Sequence, residues 1–159
     1  GEPDRGIEIL VGILPVLKAV GFTTLELWFT LFLLDGYWQK REWEKGRQTA
    51  EDLLHLSETC GDRFCIGYAH LLMGEMSLET DPAQAAAHFD KSIAVFQEIK
   101  AENVLAMAYA SYGRLHKQQG NAEQAREYFT TALDVFERLG SLIEPDKVRK
   151  ELAELPARG

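Results

Sequence analysis

The chain has 159 residues, of which 46% are apolar and 26% are charged, and its formal net charge is −8. This length and apolar content are sufficient to bury a core, and they favour a single globular domain. The acidic balance argues against nucleic acid or an anionic membrane as the main partner, because both would repel the average surface.

The first predicted element is a helical segment over residues 1–21 that Pro15 could break. It opens the longest apolar run, Ile7 to Leu34, which is interrupted by charged residues and a proline. A membrane helix needs about 20 nearly uninterrupted apolar residues, so the run predicts buried helices of a soluble protein. The same run, with Phe29 and Phe32, leaves open a homodimer interface at this end.

The cysteine content and the lack of a secretory signal favour a reducing, cytoplasmic location. Cys60, Cys65 and His70 are spaced five residues apart, which places successive side chains about 140° apart on a helix. They cannot converge from one element, so we predict no metal site and no cofactor. The motifs GxxxxGK[ST], HExxH and GxSxG are absent from the sequence, and we predict no catalytic residues.

An internal repeat organises the rest of the chain. Asp81 to Ile99 aligns without a gap on Asn121 to Leu139, and Phe89 then coincides with Phe129 at an offset of about 40 residues. A weaker copy lies at residues 42–62. We therefore predict repeat units at residues 22–61, 62–100 and 101–140, followed by a capping helix and tail at residues 141–159.

Each unit is predicted to be a pair of antiparallel helices. Gly74 and Gly113 lie inside first helices, where glycine costs about 1 kcal/mol relative to alanine. Close approach of the second helix would compensate, with Ala85 and Ala125 opposite the glycines and Phe89 and Phe129 filling the space beside the gap. Apolar residues at spacings of three and four support the helical interpretation, and no segment reads as a strand.

At these residues the chain resembles the tetratricopeptide repeat (TPR) family. The resemblance implies an all-α fold, a right-handed superhelix of helix pairs with covering helices at both ends. The segment from Phe136 to Leu155 also resembles the closing repeat of large bacterial signalling proteins that carry ATPase, cyclase or kinase regions. A first residue of Gly1 instead of methionine agrees with an origin in a longer protein. The family pattern is carried by Tyr109, Gly113, Ala125, Phe129 and Ala132, and more loosely by His70, Gly74, Ala85, Phe89 and Ser92.

The resemblance implies a non-catalytic interaction module that binds a partner peptide or helix in its concave groove. Trp28, Trp38 and Tyr68 would anchor the partner, while Arg114 and Lys117 would select an acidic residue. Two alternatives remain open: the aromatic residues pack between helices, or the domain senses a small molecule or signalling peptide. The expected groove residues are Trp28, Leu31, Asp35, Trp38, Tyr68, Leu71, Glu75, Met107, Arg114 and Lys117, with Gln39, Leu78, Glu79, Ala110 and Gln118 beside them.

Overall fold

A computed structural model describes residues 2–142 and 144–156, and these residues form helices and connecting turns without a strand. The predicted all-α class is confirmed. The helices are α1 (Glu2–Val20), α2 (Thr23–Gln39), α3 (Trp43–Cys60), α4 (Arg63–Ser77), α5 (Pro82–Glu98), α6 (Glu102–Gln118), α7 (Ala122–Leu139) and α8 (Glu144–Ala153).

Each helix packs against the next one along the chain, as in a stack of helical hairpins. The pairs α2/α3, α4/α5 and α6/α7 are called here the first, second and third repeats. Their first helices also touch across the stack, α2 against α4 and α4 against α6. The first helices therefore line one common face, and the buried apolar clusters run continuously from α2 to α8.

Close helix contacts occur at the glycines that the sequence predicts. A Cβ atom built on Gly113 would lie 2.8 Å from Cδ1 of Phe129, and one built on Gly74 would lie 2.5 Å from Cε1 of Phe89. Both phenylalanines are fully buried. The second repeat has a further contact of this kind, which the sequence interpretation missed, between Gly67 and Phe96. Glycine is needed at these points because the opposing ring occupies the position of a side chain.

The helix boundaries follow local capping chemistry. The carboxylates of Asp62 and Asp81 accept hydrogen bonds from the backbone N–H groups of Cys65 and Gln84, which caps α4 and α5. Gly61 and Gly140 adopt φ angles of 71° and 70° at the ends of α3 and α7. Glycine adopts this left-handed conformation without a steric penalty, so the chain can reverse there.

The possible break at Pro15 does not occur, because α1 continues through this residue to Val20. Proline removes the hydrogen bond to the carbonyl of Val11. Both residues are exposed, so water can satisfy that carbonyl. The predicted covering role of α1 is fulfilled on one side only: Leu17 is buried, but Ile9 and Val16 are 59% and 57% exposed.

The two ends of the stack differ. At the C-terminal end, Val148 and Leu155 join the buried cluster of the third repeat beside Phe136. Residues 144–156, called here the α8 segment, therefore close the core. At the N-terminal end, apolar side chains remain exposed on α1, on α2 and on the turn between them. The exposed set comprises Ile9, Val11, Val16, Val20, Phe22, Leu25, Trp28 and Phe32.

Within the described residues, no helix is long and apolar enough to span a bilayer.

Candidate functional site: the concave groove

The first helices of the three repeats and α8 surround a groove that contains two adjoining cavities. The central cavity has a volume of about 200 Å³ and reaches from α2 to α8. The rim cavity, of about 400 Å³, shares Trp38, Glu75 and Arg114 with it. The central cavity is lined by Asp35, Trp38, Tyr68, Leu71, Leu72, Glu75, Met107, Ala110, Ser111, Arg114, Glu144 and Lys147. The rim cavity is lined by Trp38, Gln39, Arg41, Trp43, Glu75, Met76, Leu78, Glu79, Thr80, Arg114 and Gln118.

An aromatic row extends from the N-terminal end of the groove towards its centre. The ring centroids of Phe32 and Trp28 are 6.4 Å apart, and those of Trp28 and Phe64 are 6.2 Å apart. Phe64 in turn stacks on Tyr68 at 6.1 Å. These separations are typical of favourable aromatic pairs. Trp28 remains 38% exposed, so part of this row is accessible to a partner.

Trp38 and Tyr68 lie between the core and the groove. Both pack in part against the buried cluster of α2, α3 and α4. Both also line the central cavity. Each ring therefore has one face in the core and another available to a bound side chain.

The apolar residues expected in the groove divide between cavity and core. Leu71 and Met107 line the central cavity. Leu31 lines neither groove cavity and packs with Leu27 and Leu34 in the core. The rotation of α2 about its own axis turns Leu31 inward. An alignment of the repeats gives the spacing of residues along the chain but does not specify this rotation.

Asp35 lies beside the two aromatic anchors. Its Oδ1 accepts a hydrogen bond of 3.3 Å from the Tyr68 hydroxyl, and its Oδ2 accepts one of 2.6 Å from the Gln39 amide. Burial, followed by the neighbouring Asp35 charge, raises the pKa of Tyr68 above its ordinary value. Tyr68 therefore stays protonated at neutral pH and can donate to the carboxylate.

The basic pair is engaged within the chain itself. Arg114 contacts Glu75 at 3.4 Å and Glu151 at 3.2 Å. Lys117 contacts Glu151 at 2.6 Å and Glu154 at 2.5 Å. A partner carboxylate would therefore have to compete with residues of the α8 segment.

Several groove residues escaped the sequence interpretation. Phe64 lies one turn before Tyr68 on α4, and an i, i+4 search from Tyr68 would have found it. Trp43 follows the turn after α2 and lines the rim cavity. Glu144 and Lys147 reach the central cavity from α8, and only the packing of the last helix brings them there.

A third cavity lies outside the groove, between α1, α2 and α3. It is called here the N-terminal cavity, and its volume is about 750 Å³. Thr30 and Thr49 face it at positions where the second repeat has His70 and His88. The lining residues are Val11, Leu14, Pro15, Lys18, Thr23, Glu26, Thr30, Leu33, Thr49, Asp52, His55, Leu56 and Thr59.

The equivalent space in the later repeats is filled by rings. In the second repeat, Nδ1 of His70 lies 3.0 Å from Nδ1 of His88. Burial, followed by the charges of His88 and Lys91, lowers the pKa of His70 to about 4. In the third repeat, the rings of Tyr109 and Tyr128 are 6.0 Å apart.

The candidate ligand set of Cys60, Cys65 and His70 does not form one site. Cys60 is exposed at the end of α3, whereas Cys65 is buried in α4. Among the residues that the structure describes, no group of three or more His, Cys, Asp or Glu side chains is arranged to hold a metal ion.

Comparison with known proteins agrees with the repeat architecture. Residues 65–138 match the family model described as tetratricopeptide repeat, which covers the second and third repeats. The crystal structure of BtubC (BKLC) from P. vanneervenii is similar in fold, with a TM-score of 0.76 and 15% sequence identity. The match covers 96% of this chain and 65% of BtubC. No curated protein sequence is significantly similar to the chain.

The fold is therefore a solenoid of TPR-like helix pairs. Tetratricopeptide repeats generally mediate contacts between proteins, and their domains are typically non-catalytic. The first repeat and both ends lie outside the matched residues and are assigned to the stack by their helix packing.

Proposed function

We propose that this domain is a non-catalytic interaction module that binds a segment of a partner protein in the concave groove. The observation that carries the proposal is the aromatic row that leads into two adjoining cavities. Trp28, Trp38 and Tyr68 serve as anchors. The proposal includes the cytoplasmic location that the cysteine content favours and the bacterial signalling context that the C-terminal resemblance implies.

The expected energetics follow from the partial burial of the anchors. An aromatic side chain that is held by the core loses little conformational freedom on binding, so its remaining exposed face is an efficient contact. Truncation of a central aromatic anchor typically costs about 2 kcal/mol or more, which is about thirtyfold in affinity. Lys117 is already paired within the chain, so its removal should have a much smaller effect on partner binding.

Selection from a phage-displayed library of random dodecapeptides tests this function. The wild-type chain should enrich a family of peptides, and Trp38→Ala should weaken their binding by about thirtyfold. Lys117→Ala is the matched groove control, with an expected change below about threefold. Circular dichroism must show intact helices for both variants. Enriched peptides that bind Trp38→Ala as well as the wild type would place the binding surface elsewhere.

The N-terminal cavity supports a second candidate, the small-molecule sensor. The cavity is partly closed by α1, as expected of a ligand pocket covered by the N-terminal segment. The later repeats fill the equivalent space with paired rings, so a ring-shaped ligand would complete the first repeat. Titration with p-cresol should shift the NMR signals of Leu33 and Leu56, which line the cavity, in the wild type but not in Thr30→Tyr/Thr49→Tyr. Unshifted wild-type signals at millimolar p-cresol would exclude this candidate.

Self-association through the N-terminal end is part of the same proposal. Phe22, Leu25 and Phe32 are 58%, 46% and 52% exposed on the α2 side of this end. Apolar surface of this kind is usually covered by another molecule, and a second copy would bury it. Sedimentation should reveal a dimer that Phe32→Glu dissociates. A wild-type chain that remains monomeric at high concentration would exclude this interface.

A further inference from the structure

The charges around the central cavity are unevenly paired. Two cationic side chains line it, and each has a carboxylate partner: Arg114 pairs with Glu75, and Lys147 pairs with Glu144 at 2.7 Å. Arg114 also contacts Glu151. In the described part of the chain, the remaining lining carboxylate, Asp35, has no ion-pair partner. Its hydrogen-bond donors are the neutral groups of Tyr68 and Gln39.

An unpaired carboxylate in this setting favours a cation from outside. Asp35 is half-buried, and the walls beside it are the rings of Trp38 and Tyr68 and the side chains of Leu71 and Leu72. Electrostatic attraction is stronger in such a partly desolvated site than in water. The faces of Trp and Tyr rings also attract cations, and they pack well against methylene chains.

An anionic group of the partner would bind less favourably in the groove than a cationic one. The nearby cations are already paired within the chain: Arg114 and Lys117 with Glu151 and Glu154 of the α8 segment, and Lys147 with Glu144. Arg41 lines only the rim cavity. The α8 segment thus supplies the acidic side chains that the sequence interpretation assigned to the partner.

We propose that the central cavity receives an arginine or lysine side chain of the partner segment, whose cationic group pairs with Asp35 between Trp38 and Tyr68. This inference rests on the proposed groove function and specifies the chemistry of the partner. The cavity volume of about 200 Å³ accommodates one long side chain. The methylene groups would lie against the partly buried Met107, and the partner backbone would remain in the open groove.

The peptides selected from the dodecapeptide library provide the test. Peptides whose binding requires Trp38 should share an arginine or lysine next to apolar residues. Replacement of that residue by citrulline or norleucine should weaken binding at least tenfold and reduce its salt dependence. Asp35→Asn should have a similar effect. Glu51→Gln is the matched control, because it removes one negative charge from an exposed position on α3 outside both groove cavities, and it should change affinity less than twofold.

The outcomes separate this inference from the groove function. Peptides that require Trp38 but carry an acidic residue, or no shared charge, would overturn the cation site and leave the groove function intact. A library that yields no peptide dependent on Trp38 would overturn both. If Asp35→Asn disturbs the helical circular dichroism signal, the citrulline peptide decides, since it changes only the ligand. Equal affinity of the arginine and citrulline peptides would also overturn the cation site.

Discussion

The first and third repeats fill the same space in opposite ways. In the third repeat, the first helix contributes Gly113 and the second helix contributes Phe129, whose ring occupies the space beside the glycine. The equivalent residues of the first repeat are Leu34 and Ala50, both fully buried in one cluster. The large side chain has moved from the second helix to the first. A core requires a certain combined volume from two facing side chains, and either position can supply the larger of the two.

A second pair of positions repeats this exchange. Gly67 faces Phe96 in the second repeat, whereas the first repeat has Leu27 and Ser57 at the equivalent positions. Ser57 is fully buried, but its hydroxyl donates a hydrogen bond of 2.5 Å to the carbonyl of Leu53. The small residue is therefore tolerated without an unsatisfied polar group. The exchange explains why the first copy of the repeat is degenerate in sequence although its helices pack in the same arrangement.

The largest expected effect comes from removing the third repeat's ring. Phe129→Ala should lower the free energy of unfolding by about 3–5 kcal/mol, because it leaves a cavity beside Gly113. Gly113→Leu should cost about 1–3 kcal/mol through overpacking. The double variant reproduces the arrangement of the first repeat, and chemical denaturation should show it to be more stable than the sum of the single changes predicts. Additive losses would show that the two positions do not share one space.

Acid should destabilise the second repeat more than the third. The pKa of His70 is about 4, below its ordinary value of 6.5, mainly because of burial, and the pKa of His88 is lowered for the same main reason. Between pH 4 and pH 6.5 the unfolded chain binds more protons than the folded chain does. The contribution of these histidines to the free energy of unfolding is therefore complete above about pH 6.5 and is lost as the pH falls towards 4. The loss attributable to the pair should be about 1–3 kcal/mol in denaturation experiments at several pH values.

The tyrosine pair of the third repeat offers the control for this pH effect. His70→Tyr/His88→Tyr transfers that pair to the second repeat and should flatten the stability profile between pH 6.5 and 4. An unchanged profile in this variant would assign the acid sensitivity to other groups, such as carboxylates or His116 of the third repeat, whose pKa is also lowered by burial.

Filling the N-terminal cavity should have a smaller, stabilising effect. Thr30→Tyr/Thr49→Tyr gives the first repeat the tyrosine pair of the third repeat. Burial of the apolar surface of these rings should raise the free energy of unfolding by about 1 kcal/mol. The gain is limited because the cavity is partly open and the threonine hydroxyls lose bonds to the carbonyls of Glu26 and Lys45. A lower thermal midpoint would indicate that α1 already packs too closely for two rings.

The smallest expected change in stability comes from replacing an exposed glycine, and it differs in sign from the change at a glycine that packs against a ring. Gly12 lies inside α1, and a Cβ atom built there has no neighbour within 4 Å. Gly12→Ala should therefore stabilise the protein by about 0.5–1 kcal/mol through helix propensity alone. Gly113→Ala at a ring contact should destabilise it instead. If both substitutions shifted the thermal midpoint in the same direction, the difference between an exposed glycine and one in contact with a ring would be contradicted.

The helical class, the offset of about 40 residues and the close helix contacts at Gly74 and Gly113 could be predicted from the sequence. The rings of Phe89 and Phe129, and not the predicted Ala85 and Ala125, lie directly against the glycines. The predicted features depend on periodicity and on residue size, and both can be read along the chain. The helix α7 accordingly spans Ala122–Leu139, nearly the whole of the repeat copy that the alignment places at Asn121 to Leu139. The proline in α1 shows the limit of such local rules, since solvent exposure decides whether a helix continues through it.

The chemistry of the groove depends on how the helices pack against one another. Arg114 and Glu151 are 37 positions apart, and they meet because α8 packs against the third repeat. The rotation of α2 places Asp35 beside Tyr68 and turns Leu31 into the core. Charge pairing depends on distances of a few ångströms between side chains on different helices, and the spacing of residues along the chain does not specify those distances.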